Sequence, residues 1–234
     1  MLYILFVFVM ILGSSAKGVC QISIMGGRIK ASYFYFYGIN TTTMKLVFAT
    51  NNQHKVDEVQ KMLPEAIQLL TLSQVNINEE IPEDYPTLEG NALQKARYIY
   101  EKYGHSCFAD DTGLEIAALN NEPGVYSARY AGEQKNSEDN IDKVLANLGA
   151  TANRKACFRT VIALIIEGKE YLFEGRVDGD ILTERHGEKG FGYDPIFRPE
   201  GFAESFAQMP LDAKNAISHR GRAVAKLVDF LATL

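Results

Sequence analysis

Two adjacent carboxylates set directly after a short apolar run constrain this chain more than any other feature. Ser106-Cys107-Phe108-Ala109 follows Gly104 and reads as a buried strand. Asp110 and Asp111 are then expected at the end of that strand, with Thr112 and Gly113 after them. In α/β folds, ligands collect at strand ends where the chain turns. Successive side chains of a strand point to opposite faces. One aspartate is therefore expected to face a cleft and the other to brace the backbone behind it. By itself, Asp-Asp-Thr-Gly fits a solvated turn as well as a metal or acid–base site.

Other stretches repeat the passage from apolar run to polar loop to helix. Lys45–Ala49 reads as a buried strand, and Val56, Val59, Met62 and Leu63 follow at helical spacing. Between them lies Thr50-Asn51-Asn52-Gln53-His54-Lys55. Free backbone N–H groups, the helix dipole and Lys55 suit such a loop to an anion. Ordinary capping by Asn or Thr explains the same residues. Ile67–Val75 reads as a strand, Asn91–Lys102 and Ser137–Leu148 as helices, and Cys157–Ile166 as a long apolar strand. Glu167–Glu170 turns that strand into Tyr171–Phe173, and Val177–Leu182 adds a further one. The acidic run Glu79–Asp84 fits a solvated loop.

Two later segments carry possible ligand chemistry. In Gly187–Pro195, Gly190 and Gly192 allow close backbone approach, and Pro195 favours an extended Asp194. Phe191, Tyr193 and Asp194 could stack on a base and accept its N–H, or the rings could plug into the core. Lys214–Arg222 opens the last helix with Ser218 as its cap; Val224, Leu227, Val228 and Leu231 form the buried stripe. Lys214, His219 and Arg220 stand near a helix start, where the dipole favours anions. That misplacement points to a ligand, although a solvated basic face is the commoner meaning of such a run.

With 234 residues, 47% of them hydrophobic, the chain can fill the core of one large domain or two small lobes. The net charge is −5, and residues 1–44 hold three basic residues and no acidic one, so the remainder is more acidic still. An acidic body argues against a nucleic-acid partner, which needs a basic stripe. Cys20, Cys107 and Cys157 have neither disulfide arithmetic nor metal spacing; Cys107 and Cys157 fit buried thiols in a reducing cytoplasm. The apolar run Leu2–Leu12 is shorter than the ~20 residues of a membrane span. It resembles the apolar core of a signal peptide, but no Lys or Arg precedes it. Val19 is a poor residue before a lipoprotein cysteine, and Ala31–Tyr37 is aromatic-rich without a clear period. The reading favoured here is an extension over residues 1–43 outside the core, with Met44 the true start of a domain over 44–234.

Phe108-Ala109-Asp110-Asp111-Thr112-Gly113-Leu114, followed by Pro123-Gly124-Val125-Tyr126-Ser127-Ala128-Arg129-Tyr130-Ala131-Gly132, resembles the inosine triphosphate pyrophosphatase family. Three further stretches carry the likeness: the loop at 50–55, Phe191-Gly192-Tyr193-Asp194, and Lys214 with Ser218-His219-Arg220. The chain departs from the pattern at Asn51, where the family has Gly, and at Thr112, where it more often has Ser; Asn tolerates the left-handed backbone that such a turn would ask for. The resemblance implies an α/β fold: an elongated mixed sheet flanked by helices, in two lobes with a cleft between. It implies hydrolysis of non-standard purine nucleoside triphosphates, ITP and XTP and their deoxy forms, to monophosphate and pyrophosphate. It further implies Mg²⁺ held by Asp111 and by Glu83, with Glu80 the fallback, and Asp111 as the catalytic group. Thr50, Asn51, Asn52, Gln53, His54, Lys55 and Lys214 would hold the triphosphate and Thr112 would contact the substrate, while Phe191, Gly192, Tyr193, Asp194, His219 and Arg220 would form the base pocket. A homodimer, a cytoplasmic location and no membrane partner complete what the family implies. A pyrimidine triphosphatase and a non-catalytic nucleotide sensor are the rival readings. Retention of both Asp111 and Glu83 speaks against the sensor.

Overall fold

The computed structural model describes residues 16–25, 28–37 and 43–234, and divides into two compact units, Met1–Thr43 and Met44–Leu234. In the first unit, β1 (Ala16–Met25) and β2 (Arg28–Tyr37) pair antiparallel from Ala16↔Tyr37 to Met25↔Arg28. The aromatic run expected to lack a period is thus a strand, in keeping with the preference of aromatic residues for extended chain. The apolar run Leu2–Leu12 lies outside the described residues.

The second unit is built on a mixed sheet. Its elements are β3 (Met44–Phe48), α1 (Gln53–Met62), β4 (Ile67–Thr71), α2 (Leu88–Tyr103), β5 (Cys107–Ile116), β6 (Glu122–Gly124) and α3 (Ser137–Leu148). Then come β7 (Lys155–Ile166), β8 (Lys169–Ile181), β9 (Phe197–Pro199), α4 (Leu211–Ile217) and α5 (His219–Leu231). The strand order is β4-β3-β5-β7-β8-β9, with β6 pairing β5. β3 runs parallel to β4 and β5, and every other pairing is antiparallel. This is the expected α/β architecture.

Three apolar clusters fill it. Leu46, Phe48, Val59, Phe108 and Ile162 pack with Val224 and Leu227 of α5. Val47, Ala109, Val161 and Ala163 pack with Ala92, Ala96 and Ile99 of α2 on the opposite face of the sheet. Leu114, Ile116 and Phe158 pack with Ile141 and Val144 of α3 and with Phe197 and Phe206. β5 therefore starts in the first two clusters and ends in the third. Asp110 to Gly113 form the seam between them.

That seam corrects one expectation. Asp110 and Asp111 do not end their strand; β5 continues to Ile116. β3 stops at the pair Phe48↔Phe108, but β7 continues alongside, pairing Asp110↔Ile162 and Asp111↔Val161. The aspartates sit where the parallel neighbour ends, which preserves the opening that a strand end would have supplied.

Four smaller differences have local causes. The strand expected over Ile67–Val75 ends at Thr71 and gives way to a 3₁₀ turn over Ser73–Val75. Gln74 Oε1 takes the Thr71 N–H at 2.9 Å, and Asn76 adopts φ 59°. Tyr171–Phe173 and Val177–Leu182 belong largely to one strand, β8. Its Gly175 lies under α5, where an added Cβ would be 1.9 Å from the His219 carbonyl oxygen. Lys214 lies on α4 rather than on the last helix, because Ser218 (ψ 159°) breaks the run before capping α5 through its Oγ and the Gly221 N–H. Asp194 opens a 3₁₀ turn, Asp194–Ile196, instead of an extended stretch.

Candidate active site

The alternation of β5 sends its two aspartates into different surroundings. Asp110 is 1% exposed and lies between Lys55, whose Nζ is 2.8 Å from Oδ1, and Arg220, whose Nε is 3.1 Å from Oδ2. Burial pushes its carboxyl up, but Lys55, Arg220 and Lys95 outweigh burial and hold it well below the usual carboxylate range. Asp111 accepts from Asn91 Nδ2 at 3.2 Å and from the Thr112 N–H at 3.0 Å, with Lys95 Nζ at 3.7 Å. Burial raises it, and the cations around it offset that only in part.

Behind Asp110 the network continues inward. Arg220 also pairs with Glu58 and donates from Nη2 to Thr112 Oγ1 at 3.2 Å. Thr112 Oγ1 lies 2.7 Å from Thr160 Oγ1 on β7. Lys214 Nζ is 2.6 Å from both Glu58 and Asp194. Burial would raise Glu58, but Arg220 and Lys214 keep it lowered. Asp194 Oδ2 also accepts the Phe191 N–H at 2.8 Å, which fixes the loop carrying that ring.

Phe191 is half-buried and stacks on His54 at 5.2 Å with an interplanar angle of 11°. Lys214 Nζ is 5.0 Å from its centroid and Arg220 Cζ 5.6 Å. A cavity of about 480 Å³ opens here, lined by Asn52, His54, Gly190, Phe191 and Gly192 among others. Gly190 and Gly192 have φ 77° and 59°, and a Cβ on Gly190 would collide with Asp194. A second cavity, of about 290 Å³, lies beside Thr50, Asn51 and Gln53 and reaches Thr71, Ser73 and Asn78.

The loop at the start of α1 is capped as its sequence allows. Asn52 Oδ1 accepts the Lys55 N–H at 3.3 Å, and Thr50 Oγ1 accepts the Asn52 N–H at 3.2 Å. Asn51 is not among the residues of positive φ, so the turn does not use the left-handed conformation that a Gly there would offer. Gln53 turns back to Asp57 at 2.6 Å.

Glu83 pairs with Lys95, and its other oxygen lies 3.9 Å from Arg129. Glu83 and Asp111 thus converge on one ammonium. Burial would raise Glu83, but Lys95 leads the groups that lower it. Glu80, the fallback ligand, has no hydrogen bond or ion pair among the described contacts. No cluster of three or more His, Cys, Asp or Glu suited to a metal occurs among the described residues. Two carboxylates meeting on a cation nonetheless fit Mg²⁺, which is commonly held by one or two carboxylates with water and phosphate completing its shell.

Besides Asp194 and Arg220, 3% and 2% exposed within the network above, three further expected site residues fall elsewhere than a cleft surface. Tyr193 is 5% exposed and its OH donates to the Ser127 carbonyl at 2.8 Å, so it serves the core. Lys214 is 3% exposed and lies by Phe191, held by Glu58 and Asp194, not beside Lys55. His219 is buried and stacks on Phe158 at 4.5 Å, with Nδ1 lacking a partner. Burial, then the charges of Arg220 and Lys214, hold its pKa well below the ordinary value.

Sequence reasoning passed over Glu58, Asn91, Lys95 and Arg129. Helical spacing carried a signal for the first three. Glu58 stands three residues after Lys55 on α1, and Lys95 stands four after Asn91 on α2, spacings that put each pair on one face.

The Ham1 family model matches residues 46–230. A dITP/XTP pyrophosphatase of Flavobacterium johnsoniae is 57% identical over 188 residues, covering 80% of this chain and 98% of that protein. One from Porphyromonas gingivalis is 52% identical, covering 80% of this chain and 97% of that protein. Among solved structures, the Staphylococcus aureus Ham1 protein aligns with a TM-score of 0.74 at 39% identity over 81% of this chain and 98% of its own. A HAM1 protein from Coxiella burnetii aligns with a TM-score of 0.75 at 36% identity, over 82% of this chain and all of its own.

Proposed function

This chain belongs to the Ham1 family, and from that premise we propose that it hydrolyses ITP, XTP and their deoxy forms to the monophosphate and pyrophosphate, removing them from the nucleotide pool. The dITP/XTP pyrophosphatases similar to it align over nearly their whole length. The observation that carries the chemistry is the convergence of Asp111 and Glu83 on one cationic point, with Lys55 on the neighbouring Asp110 at 2.8 Å.

Phosphoryl transfer asks a protein for charge neutralisation and an aligned water more than for covalent chemistry. Lys55, Lys95 and the N–H groups opening α1 would grip the triphosphate, with Thr50, Asn51, Asn52 and Gln53 shaping that loop. Thr112 would present its hydroxyl beside Asp110. Asp111 would orient the attacking water and take its proton. Asp111 and Glu83 would hold Mg²⁺, which when bound supplies charge neutralisation and a more acidic water. Each cation of this cleft already has an acidic partner in the protein. Phosphate oxygens would therefore exchange with carboxylates the cations hold, without leaving a charge bare.

Phe191, backed by His54, would stack on the base. Arg220, whose Cζ lies 5.6 Å from that ring's centroid, and His219, whose buried Nδ1 has no partner, would favour a 6-oxo acceptor. Arg220 reaches it only with the N–H groups that Glu58, Asp110 and Thr112 do not use. Adenine presents a donor there and would leave buried donors unpaired, at about 1–3 kcal/mol each. Asp194, through Lys214 and the Phe191 N–H, would set the ring's position, and Tyr193 would anchor the same loop in the core. A turnover panel of ITP, XTP, GTP and ATP with Mg²⁺, following pyrophosphate release, tests the reading. Equal hydrolysis of ATP and ITP would remove the base assignment.

The family likeness also supports a homodimer, which light scattering on the purified protein would test. It supports a cytoplasmic location too; Cys107 and Cys157 are free buried thiols, and among the described residues no helix is long and apolar enough to cross a membrane. We further propose that residues 1–43 are dispensable. The family match begins at residue 46, and the second compact unit begins at Met44.

A further inference from the structure

Asn91 is the side chain that connects the loop of Glu83 to the carboxylate of Asp111. It lies on the first turn of α2 and is 1% exposed. Its Oδ1 accepts the Tyr85 N–H at 2.8 Å, two residues beyond Glu83, and its Nδ2 donates to Asp111 Oδ2 at 3.2 Å. One turn further along the same helix face, Lys95 pairs with Glu83 and approaches the other oxygen of Asp111 at 3.7 Å. Residues 77–86 have no helix or strand, so no backbone ladder fixes Glu83. Other ties hold the segment without a hydrogen bond to β5: Gln94 exchanges two hydrogen bonds with Asp84, at 2.8 and 2.7 Å, Lys102 and Tyr103 hold Glu79, and Arg129 lies 3.9 Å from Glu83. A buried amide that uses both its acceptor and its donor on two different segments fixes their separation.

We infer that Asn91 is a positioning residue, setting the spacing and orientation of Glu83 and Asp111 for a divalent cation. This rests on the proposed roles of those two carboxylates. Partners behind metal-binding groups are known to govern affinity, and their loss typically weakens binding roughly 10–100-fold. Lys95 adds a second function on the same helix: its ammonium stands between the carboxylates until a metal replaces it, and Asn91 keeps them apart at a distance both cations can use.

The test is Asn91→Leu, similar in volume and without either hydrogen bond, compared with Gln94→Leu, which loosens the same loop without touching β5. Calorimetric titration of the full chain with Mg²⁺ alone should show the dissociation constant rising roughly 10–100-fold in Asn91→Leu and staying within about threefold of wild type in Gln94→Leu. ITP turnover in Asn91→Leu should climb back toward the wild-type kcat as Mg²⁺ is raised. An unchanged Mg²⁺ affinity overturns the inference, as does an equal loss in Gln94→Leu, and so does wild-type protein that binds no Mg²⁺. If Asn91→Leu does not fold, Asn91→Asp keeps an acceptor for the Tyr85 N–H and reverses only the contact with Asp111. Wild-type Mg²⁺ affinity in Asn91→Asp would then overturn it. Asp111→Asn, assayed in parallel, separates the two levels: full turnover in that variant removes the proposed function, whereas its loss beside a normal Asn91→Leu removes only the role of Asn91.

Discussion

Asp110 and Asp111 are neighbours in sequence and opposites in environment. Asp110 is ringed by cations and belongs to a buried network running through Arg220 and Glu58 to Lys214 and Asp194. Asp111 has one amide donor, its neighbour's N–H and a more distant ammonium. The first is held ionised by the fold; the second is strained by burial and lacks a close counter-charge. The contrast teaches that adjacent identical side chains divide structural and chemical work when strand alternation delivers them to different layers.

The largest effect expected from breaking this contrast is catalytic. Asp111→Asn keeps the side chain's size and removes its charge and basic oxygen, so ITP turnover should fall by roughly 10²–10⁴-fold. Asp111 has a raised pKa in the fold, so its ionisation weakens the folded state as pH climbs through that value. At pH 7 without metal, Asp111→Asn should therefore melt no lower than wild type. A clear drop in melting temperature would put Asp111 in the structural network instead.

Asp110→Asn should invert the pattern. It leaves Arg220 and Lys55 short of a buried counter-charge, a change that typically destabilises by about 3–5 kcal/mol. The catalytic defect per folded molecule should be smaller than that of Asp111→Asn. The depressed carboxyls of Asp110 and Glu58 contribute stability that is complete above their unfolded values, near 4, and is lost as pH falls through the folded ones. Denaturant unfolding at several pH values should show an acid-side decline in wild type that is shallower in Asp110→Asn. Equal slopes would mean that Asp110 is not held ionised by its neighbours.

Base selection sharpens the comparison from the inner side, because Arg220 joins Asp110 to the ring of Phe191. Discrimination of about 1–3 kcal/mol per unpaired donor should make kcat/KM for ATP at least about tenfold below that for ITP. Arg220→Leu should narrow the gap. An unchanged ITP-to-ATP ratio in that variant would move selectivity to another residue. The smallest effect belongs to the N-terminal unit: a chain beginning at Met44 should fold and turn over ITP like the full protein. Loss of either property would bring residues 1–43 into the working domain.

Much of this was legible before any coordinates. Ser137–Leu148 is a helix with the expected bounds, because its cap Asn136 and the inward positions of Ile141, Val144 and Leu148 are local signals. The same holds for the strand–loop–helix passage through Lys55, where an apolar run meets a cap. Strand ends were less legible. β5 outlasts its polar residues because β7 lies beside them, and nothing within Asp-Asp-Thr-Gly announces that partner. Sequence also left open whether the rings of Phe191 and Tyr193 line a cleft or fill a core. The fold gives one of each: Phe191 borders the cavity and Tyr193 donates to the Ser127 carbonyl.

By itself the sequence determined most of the helices and the central strands of the second unit, the sending of two adjacent carboxylates to opposite faces, and, through its motifs, a family resemblance that implied the α/β fold. The elements and the alternation follow from periodicity, caps and spacing, which act over a few residues. Only the tertiary structure decided which cation each carboxylate meets. Glu58 reaches Lys214 and Arg220 across more than 150 positions of chain, and Asn91 reaches Asp111 across 20. Such contacts are set by how the helices lie on the sheet, and the energy of a buried charge depends on what packing brings within a few ångströms of it.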